Sequence, residues 1–503
     1  MNGIDLHTPS GLMVAMLPEL VVTAAAVIVL LVNAWRHQTA ADSRFAGMLA
    51  LVGLVAALAV LGGLWQGGAA PLGAPNMMAL DGYRFGAQLL ILVASIGAVL
   101  LSIDYLEREA LIAPEYYSLL LMATSGMMFL AGAEDLIVLF LGLEVMSVPV
   151  YVLAAFNRKS AVSAEAGLKY FLVGALASAF LLYGIALTYG ATGSTALTTI
   201  GQRIGQQGIG TLSGLGLAFI LIGLGFKVAS VPFHMWAPDV YDGAPTPVTA
   251  YMATGVKAAG FLALVRVLMV GFASAVDTWQ PLIGVLATAS MLVGNLVALS
   301  QRSLKRMLAY SSIAHAGYLL AAVWSGSQAG ASATMLYLAA YILTTLATFG
   351  ILAVLGRGGE RDVTLDTIAG LAQRRPAIAA ALTVCMFSLL GFPGTFGFIG
   401  KWAILSAITA EHHQFLAVVL VITSLVSAGY YLPVVRAVYM RPPITADIHE
   451  GVVLPGAARL TVAIGVGLLL LLGILPKLAI DRADSGARSF AGTALDRAAQ
   501  ARR

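Results

Sequence analysis

The sequence predicts an all-α polytopic membrane protein, with about 14 transmembrane helices and two inverted five-helix repeats that each contain a broken helix. Three observations carry this. Of 503 residues, 59% are hydrophobic and only 10% charged. The apolar residues come in solid runs of about 17–25, the length an α-helix needs to cross roughly 30 Å of hydrocarbon. Two of those runs are interrupted by Gly and Pro beside a lysine, around Lys227 and Lys401. A soluble chain of this composition, with mean hydropathy +0.90, would have no polar surface to present. A β-barrel would alternate polar and apolar residues instead, and the polar connections are too short for a separate soluble domain.

Taken in order, spans 12–35, 45–65 and 83–103 make an N-terminal three-helix segment, 1–110. No Lys or Arg precedes the first, so it lacks the basic n-region of a cleavable signal peptide and reads as a retained helix. Spans 115–132, 135–156, 165–189, 211–231 and 246–270 form a first five-helix repeat, 111–275. Spans 279–300, 304–325, 331–356, 376–410 (broken) and 414–440 form a second, 276–441. Span 454–475 and a basic tail complete the chain as 442–503.

Orientation follows from the cations. Arg36, Arg44, Arg108, Arg158, Lys159, Arg302, Lys305, Arg306, Arg357, Arg361, Arg374, Arg375 and Arg441 fall in alternate loops that share one side. The other side, before the tail, has little beyond Arg84 and Arg203. Positive charge marks the cytoplasmic side, so both termini are expected on the periplasmic side. The net charge of +4 is therefore topology and not a sign of an anionic ligand. Trp35, Trp65, Trp279 and Trp324 fall at helix ends, where interfacial anchors belong.

A charge at mid-membrane costs about 2.5–3.5 kcal/mol even on lenient insertion scales, so each needs a partner, a water-filled cavity or a task. Glu144 lies more than a turn from either end of the run Leu136-Ile-Val-Leu-Phe-Leu-Gly-Leu-Glu144-Val-Met-Ser-Val-Pro149. Lys227 sits in an apolar helix about to break at Pro232, and Lys257 has apolar residues for more than a turn on both sides. Lys401 closes Gly391-Phe-Pro-Gly-Thr-Phe-Gly-Phe-Ile-Gly-Lys401, and Lys169 opens a long apolar run near the cytoplasmic boundary. His234 and His315 titrate near neutral pH, although a lone helical His is as often a satisfied core residue. Glu144, Lys169, Lys227, His234, Lys257 and Lys401 have the residue types of a proton relay: a change of protonation at one site shifts the balance at the next. The breaks at Pro149, Pro232 and Pro393 matter equally, because interrupted segments in matching places of two halves point to an ion path. Inert ion pairs in a membrane scaffold are the bland alternative.

Chemistry beyond the relay is not expected. Cys385 stands alone, so no disulfide framework, zinc site or Cys-ligated cluster can be built. Gly223-Leu-Gly225 lacks the third glycine of a dinucleotide fingerprint, and Gly400-Lys401-Trp402 is no P-loop.

Two long motifs carry a resemblance. Gly225-Phe-Lys227-Val-Ala-Ser-Val-Pro-Phe-His234-Met-Trp-Ala-Pro-Asp239-Val-Tyr-Asp-Gly-Ala-Pro245-Thr-Pro-Val, followed by Lys257, resembles the signature of the antiporter-like subunits of proton-pumping NADH:quinone oxidoreductase, respiratory complex I. Ser303-Leu-Lys305-Arg306-Met-Leu-Ala-Tyr-Ser-Ser-Ile-Ala-His315-Ala-Gly-Tyr resembles the same family. Among its paralogues the resemblance is to the N type. The L type has a long lateral helix, the M type has Glu where this chain has Lys401, and Glu165-Ala-Gly-Leu-Lys169-Tyr-Phe is N-like. The resemblance implies a bacterial inner-membrane translocase subunit in which Glu144 couples to the neighbouring subunit. Lys169 and Lys227 would be the cytoplasmic-side and central relay, His234 and Lys257 connectors, and Lys401 the exit residue. It implies no cofactor on this chain; NADH, FMN, iron–sulfur clusters and quinone belong to partner subunits. The expected partners are the other membrane and peripheral subunits, antiporter-like paralogues included, and membrane lipids, with no nucleic acid. A subunit of a multisubunit cation/proton antiporter, which shares the scaffold, is the alternative.

Overall fold

The computed structural model describes residues 4–5, 8–35, 39–66, 71–72, 77–356, 363–411, 414–443 and 453–501. Among them, 11 helices are long and apolar enough to cross a membrane: Leu17–Ala34, Ala40–Gln66, Gly82–Arg108, Leu136–Ala154, Ala161–Thr192, Thr246–Gly271, Ala273–Ala298, Leu304–Trp324, Gln328–Leu355, Gln414–Met440 and Gly456–Ile474. Thr211–Lys227, Pro376–Leu390 and Phe396–Ala410 are shorter apolar helices, and Glu115–Gly132 is an 18-residue helix buried along most of its length. Extended chain among the described residues is slight, with Ile4–Asp5 pairing in parallel with Pro71–Leu72.

Helix pairs approach closely because small residues let their backbones meet, the expected solution where lipid offers no hydrophobic gain for association. At Gly184 a Cβ would stand 2.8 Å from both Gly216 O and Ile220 N, so Ala161–Thr192 and Thr211–Lys227 pack backbone to backbone. The core sits around Thr246–Gly271, Leu304–Trp324 and Gln328–Leu355, which are buried almost throughout. Leu17–Ala34, Ala161–Thr192 and Gly456–Ile474 lie outside them and expose apolar side chains such as Leu172, Leu176 and Leu471.

Two of the three expected breaks are present. Thr211–Lys227 ends at Lys227, and the short helix Ala237–Gly243 follows a non-helical stretch, 228–236. Pro376–Leu390 ends at Gly391 with φ 84°, a left-handed conformation that glycine adopts without strain, and Phe396–Ala410 begins after Thr395. Pro149, expected among the breaks, leaves Leu136–Ala154 continuous. Span 246–270 is less regular than expected: π-helical turns at Met252–Val256 and Val267–Gly271 flank Lys257–Arg266. Such turns concentrate at functional sites.

Several surface expectations change. Arg84, expected in a loop, is fully buried, its guanidinium 2.6 Å from an equally buried Glu19 carboxylate. Lys305 is buried too, donating to Ala244 O at 2.9 Å. Trp279 and Trp324 are packed inside rather than set at an interface; the Trp279 indole N–H donates to Phe272 O at 3.0 Å. Trp35 alone of the four is largely exposed, at 84%. The first span is two helices, Pro9–Ala15 and Leu17–Ala34, meeting at Met16. The basic tail is a helix, Lys477–Ala501, laid across the starts of Gly82–Arg108 and Gln328–Leu355, where Ser332 donates to Asp484. Arg36, Arg357 and Arg361 lie outside the described residues.

Candidate functional site

Asp135 caps the Glu144 helix, its carboxylate accepting from Ile137 N–H at 2.8 Å. This fixes the register that brings Glu144, half-buried, to the Ser178 hydroxyl, which donates to Oε1 at 2.5 Å. Two turns on, the Tyr151 hydroxyl accepts from Lys227 Nζ at 3.1 Å. Lys227, 3% exposed, holds its ammonium over the rings of Tyr151 (5.0 Å), Phe226 (5.3 Å) and Tyr170 (5.5 Å). Glu144 is close enough for its charge to act on Lys227.

The break after Lys227 is held by side chains: Trp236 donates to Phe226 O at 3.1 Å and stacks on Tyr170 at 4.3 Å, and Val231 N–H donates to Ser290 Oγ at 2.9 Å. His234 lies inside this break, half-buried, its Nδ1 without a hydrogen-bond partner among the described residues. Lys169 is placed differently from the other lysines. It is 44% exposed and ion-paired with Glu165 at 2.7 Å and Asp239 at 2.8 Å, and Asp239 also holds Arg306 at 2.8 Å.

The second centre lies across Gly260, which packs against the root of Lys227: a Cβ there would be 3.6 Å from Lys227 Cβ. One turn before Gly260, Lys257 Nζ donates to Ser312 O at 2.6 Å and to the Ser312 hydroxyl, and lies over the Tyr341 ring at 5.4 Å. His315 follows on the same helix as Ser312. Its Nδ1 pairs with the Tyr337 hydroxyl and its Nε2 with the Tyr431 hydroxyl at 3.0 Å, while Tyr431 also meets Ser311. Lys401 Nζ donates to Leu390 O at 2.9 Å, a carbonyl freed by the helix break, and lies over the Tyr318 ring at 4.8 Å. Lys257 and Lys401 both act electrostatically on His315. A small cavity lined by Ser311, Tyr341, Thr345 and Thr348 opens beside this set.

The structure thus gathers Glu144 with Lys227, and Lys257 with Lys401, and leaves Lys169 in a half-exposed ion-pair group. The sequence leaves His315 ambiguous, and Tyr151, Ser312, Tyr318, Tyr337, Tyr341 and Tyr431 do not stand out from it; the structure places His315 between the Tyr337 and Tyr431 hydroxyls. A usable signal existed on the His315 helix, where Ser311, His315 and Tyr318 recur at helical spacing in an apolar run.

Residues 133–427 match the family model described as NADH:quinone oxidoreductase/Mrp antiporter, TM. The chain is 46% identical to the NADH-quinone oxidoreductase subunit N of Gemmatimonas aurantiaca, covering 91% of this chain and 92% of that one. It is 40% identical to the subunit of the same name from Trichlorobacter lovleyi, covering 94% and 96%. Among solved structures, a chain of respiratory complex I from Thermus thermophilus with bound aureothin superposes with a TM-score of 0.79 at 38% identity, covering 93% of this chain and 100% of that one. A chain of the Mrp complex from Dietzia sp. shares the fold, with a TM-score of 0.81 at 22% identity over 96% of this chain and 99% of that one.

Proposed function

The chain belongs to the NADH-quinone oxidoreductase subunit N family, whose work is proton translocation in the membrane part of respiratory complex I, and on that premise we propose that its protons move through the buried lysines. The relay comprises Glu144, Lys227, Lys257 and Lys401, with Lys169 on the cytoplasmic side, His234 as a connector at the first break, and His315 joining Lys257 to Lys401. One observation carries this reading: among the described residues, Lys227, Lys257 and Lys401 hydrogen-bond only to hydroxyls and backbone carbonyls, never to a carboxylate. A lysine locked to a carboxylate keeps its proton, whereas one held by neutral groups in a desolvated site can release it when a neighbour changes charge.

Glu144, on the half-exposed face of its helix, receives the charge change from the adjacent subunit and passes it to Lys227. NADH oxidation, FMN, iron–sulfur clusters and quinone reduction stay on partner subunits, so this chain is a translocase subunit driven at a distance. Fourteen crossings follow if Glu115–Gly132, Thr211–Lys227 and the broken pair Pro376–Leu390 with Phe396–Ala410 span alongside the 11 long helices. Two inverted repeats, 111–275 and 276–441, are supported by matching clasps. Leu136 N–H donates to Thr195 O at 2.9 Å and Leu304 N–H donates to Val363 O at 2.8 Å, each tying the start of a repeat's second helix to the exit of its third. The segment 1–110 would flank the first repeat, and 442–503 would end the chain with its final helix and tail helix. With the basic loops cytoplasmic, both termini face the periplasm of the bacterial inner membrane.

The test is Lys227→Ala in native membranes, with NADH oxidation by quinone, proton translocation and assembled complex measured on one preparation. Assembly retained while pumping and coupled turnover fall supports the relay. Unchanged pumping, or loss of assembly alone, overturns it.

A further inference from the structure

Among the described residues, the buried charges that the proposed relay leaves unused include a group at the end of the bundle shared by the tail helix. Glu19, near the start of Leu17–Ala34, is 0% exposed, as are Arg84 and Gln88 on Gly82–Arg108. Arg84 donates to Glu19 Oε1 at 2.6 Å, and Gln88 Nε2 donates to the same oxygen. Arg84 is held from two further directions, donating to Ala79 O at 2.6 Å and Ala15 O at 2.8 Å. Among the described residues, Glu19 Oε2 has no hydrogen-bond partner, nor do Gln88 Oε1 and Arg84 Nε beside it.

This asymmetry has a chemical meaning. A carboxylate kept permanently ionised would gain from donors on both oxygens. Here both donors converge on Oε1, so a proton can settle on Oε2 and leave every existing hydrogen bond in place. Guanidinium groups do not release protons, so any proton gained or lost in this group belongs to a carboxyl. Nearby, Arg266 is fully buried and pairs bidentately with Asp81, at 2.8 and 3.0 Å, with Glu134 at 3.6 Å. Burial pushes the Asp81 carboxyl up, but Arg266 overrides that and holds it below the usual carboxylate range. Asp81 therefore stays ionised, and Glu19 is the buried carboxyl left to exchange a proton.

The group also lies on a polar track. Thr23, one turn from Glu19, meets Ser125 at 2.7 Å. Next to Ser125, Thr124 joins Ser95 at 2.9 Å and the Tyr251 hydroxyl at 2.7 Å, on the same span as Lys257. At the other end, the Asp81 and Glu134 side chains are partly exposed, at 16% and 22%. Unpartnered donors and acceptors along a buried polar track are where ordered water sits in membrane interiors.

We propose that Glu19 is a proton-loading carboxyl in the N-terminal segment beside the first repeat, taking its proton on Oε2 through water held by Gln88 and Arg84, and handing it toward the Asp81–Glu134 surface. Nothing is oxidised or reduced: an O–H bond forms at Oε2 as the adjacent water gives up one proton and takes another from the next water on the track, so that the water stays neutral, and the step reverses on discharge. The inference rests on the relay reading, so its test includes Lys227→Ala as the control.

In assembled complex in native membranes, protons translocated per NADH oxidised would be measured for Glu19→Gln, Lys227→Ala and the unsubstituted protein. The expected result is assembled Glu19→Gln complex whose ratio falls at least halfway to that of Lys227→Ala. A ratio equal to the unsubstituted value, with Lys227→Ala impaired, overturns the Glu19 proposal and leaves the relay standing. A normal ratio in Lys227→Ala overturns the relay instead. If Glu19→Gln does not assemble, the pair Glu19→Gln with Arg84→Gln removes both charges together. Assembly with a lowered ratio then supports the proposal, and assembly with a full ratio, or no assembly, makes the group a structural anchor and refutes it.

Discussion

Removing one hydroxyl, in Tyr151→Phe, tests whether Lys227 carries protons through neutral partners. The Tyr151 hydroxyl is the hydrogen-bond partner found for the Lys227 ammonium, at 3.1 Å, and the three rings around that ammonium survive the change. Phe keeps the edge-on packing of residue 151 against Tyr170 (4.7 Å) and Phe171 (5.9 Å), so the helix contacts should persist. A hydrogen bond to a charged group contributes about 1.5–3 kcal/mol. Its loss destabilises the loaded ammonium by that amount, which lowers its occupancy by a factor of roughly 10–100 at about 1.4 kcal/mol per tenfold. If loading of Lys227 limits turnover, proton translocation coupled to NADH oxidation should fall about tenfold or more in membranes that contain the normal amount of complex. Pumping within about twofold of the unsubstituted level would refute the argument, since a loss that small lies below the weakest bond allowed by the estimate.

Two further outcomes follow from the same geometry. His315→Ala removes the ring that joins Tyr337 to Tyr431 between Lys257 and Lys401, so pumping should fall about as far as in Lys257→Ala, with both measured as proton uptake per NADH in inverted vesicles. Lys169→Ala breaks only half-exposed ion pairs, each worth about 0–1 kcal/mol, so thermal stability of the complex should shift little while pumping slows if Lys169 feeds the relay.

The fold was largely legible because its signals are one-dimensional. Apolar runs of membrane length and Gly/Pro interruptions beside Lys227 and Lys401 need no knowledge of neighbours. The two breaks came out as expected, whereas Pro149 did not break its helix: a proline removes only one N–H, and neighbouring groups in a packed bundle can absorb that. Partners across helices were not legible. Glu19 falls inside the first apolar span and Arg84 reads as a loop cation, and only the folded chain shows that the two, 65 residues apart, meet at 2.6 Å. The central relay was half legible for the same reason. Lysines in apolar runs stand out, but the tyrosines that hold them look like any aromatic packing until Tyr151 is seen facing Lys227 and Tyr341 facing Lys257.

The kinds of cation found at different places argue for the relay over a scaffold of inert pairs. Where charge is fixed, the chain uses arginine with a carboxylate, as Arg266 with Asp81. Where charge is proposed to move, it uses lysines that have no carboxylate partner among the described residues: Lys227, Lys257 and Lys401. If these lysines were structural cations, arginine would serve as well, since its several donors bond hydroxyls and carbonyls and it keeps its charge. Lys257→Arg separates the two views. A guanidinium at that position can still donate to Ser312 O and lie over the Tyr341 ring, so assembly should hold. It cannot be deprotonated in a protein, however, and a relay through residue 257 should stop. Assembled Lys257→Arg complex that oxidises NADH and pumps at the normal ratio would show that Lys257 stays charged throughout. The path from Lys227 to Lys401 would then have to go around it.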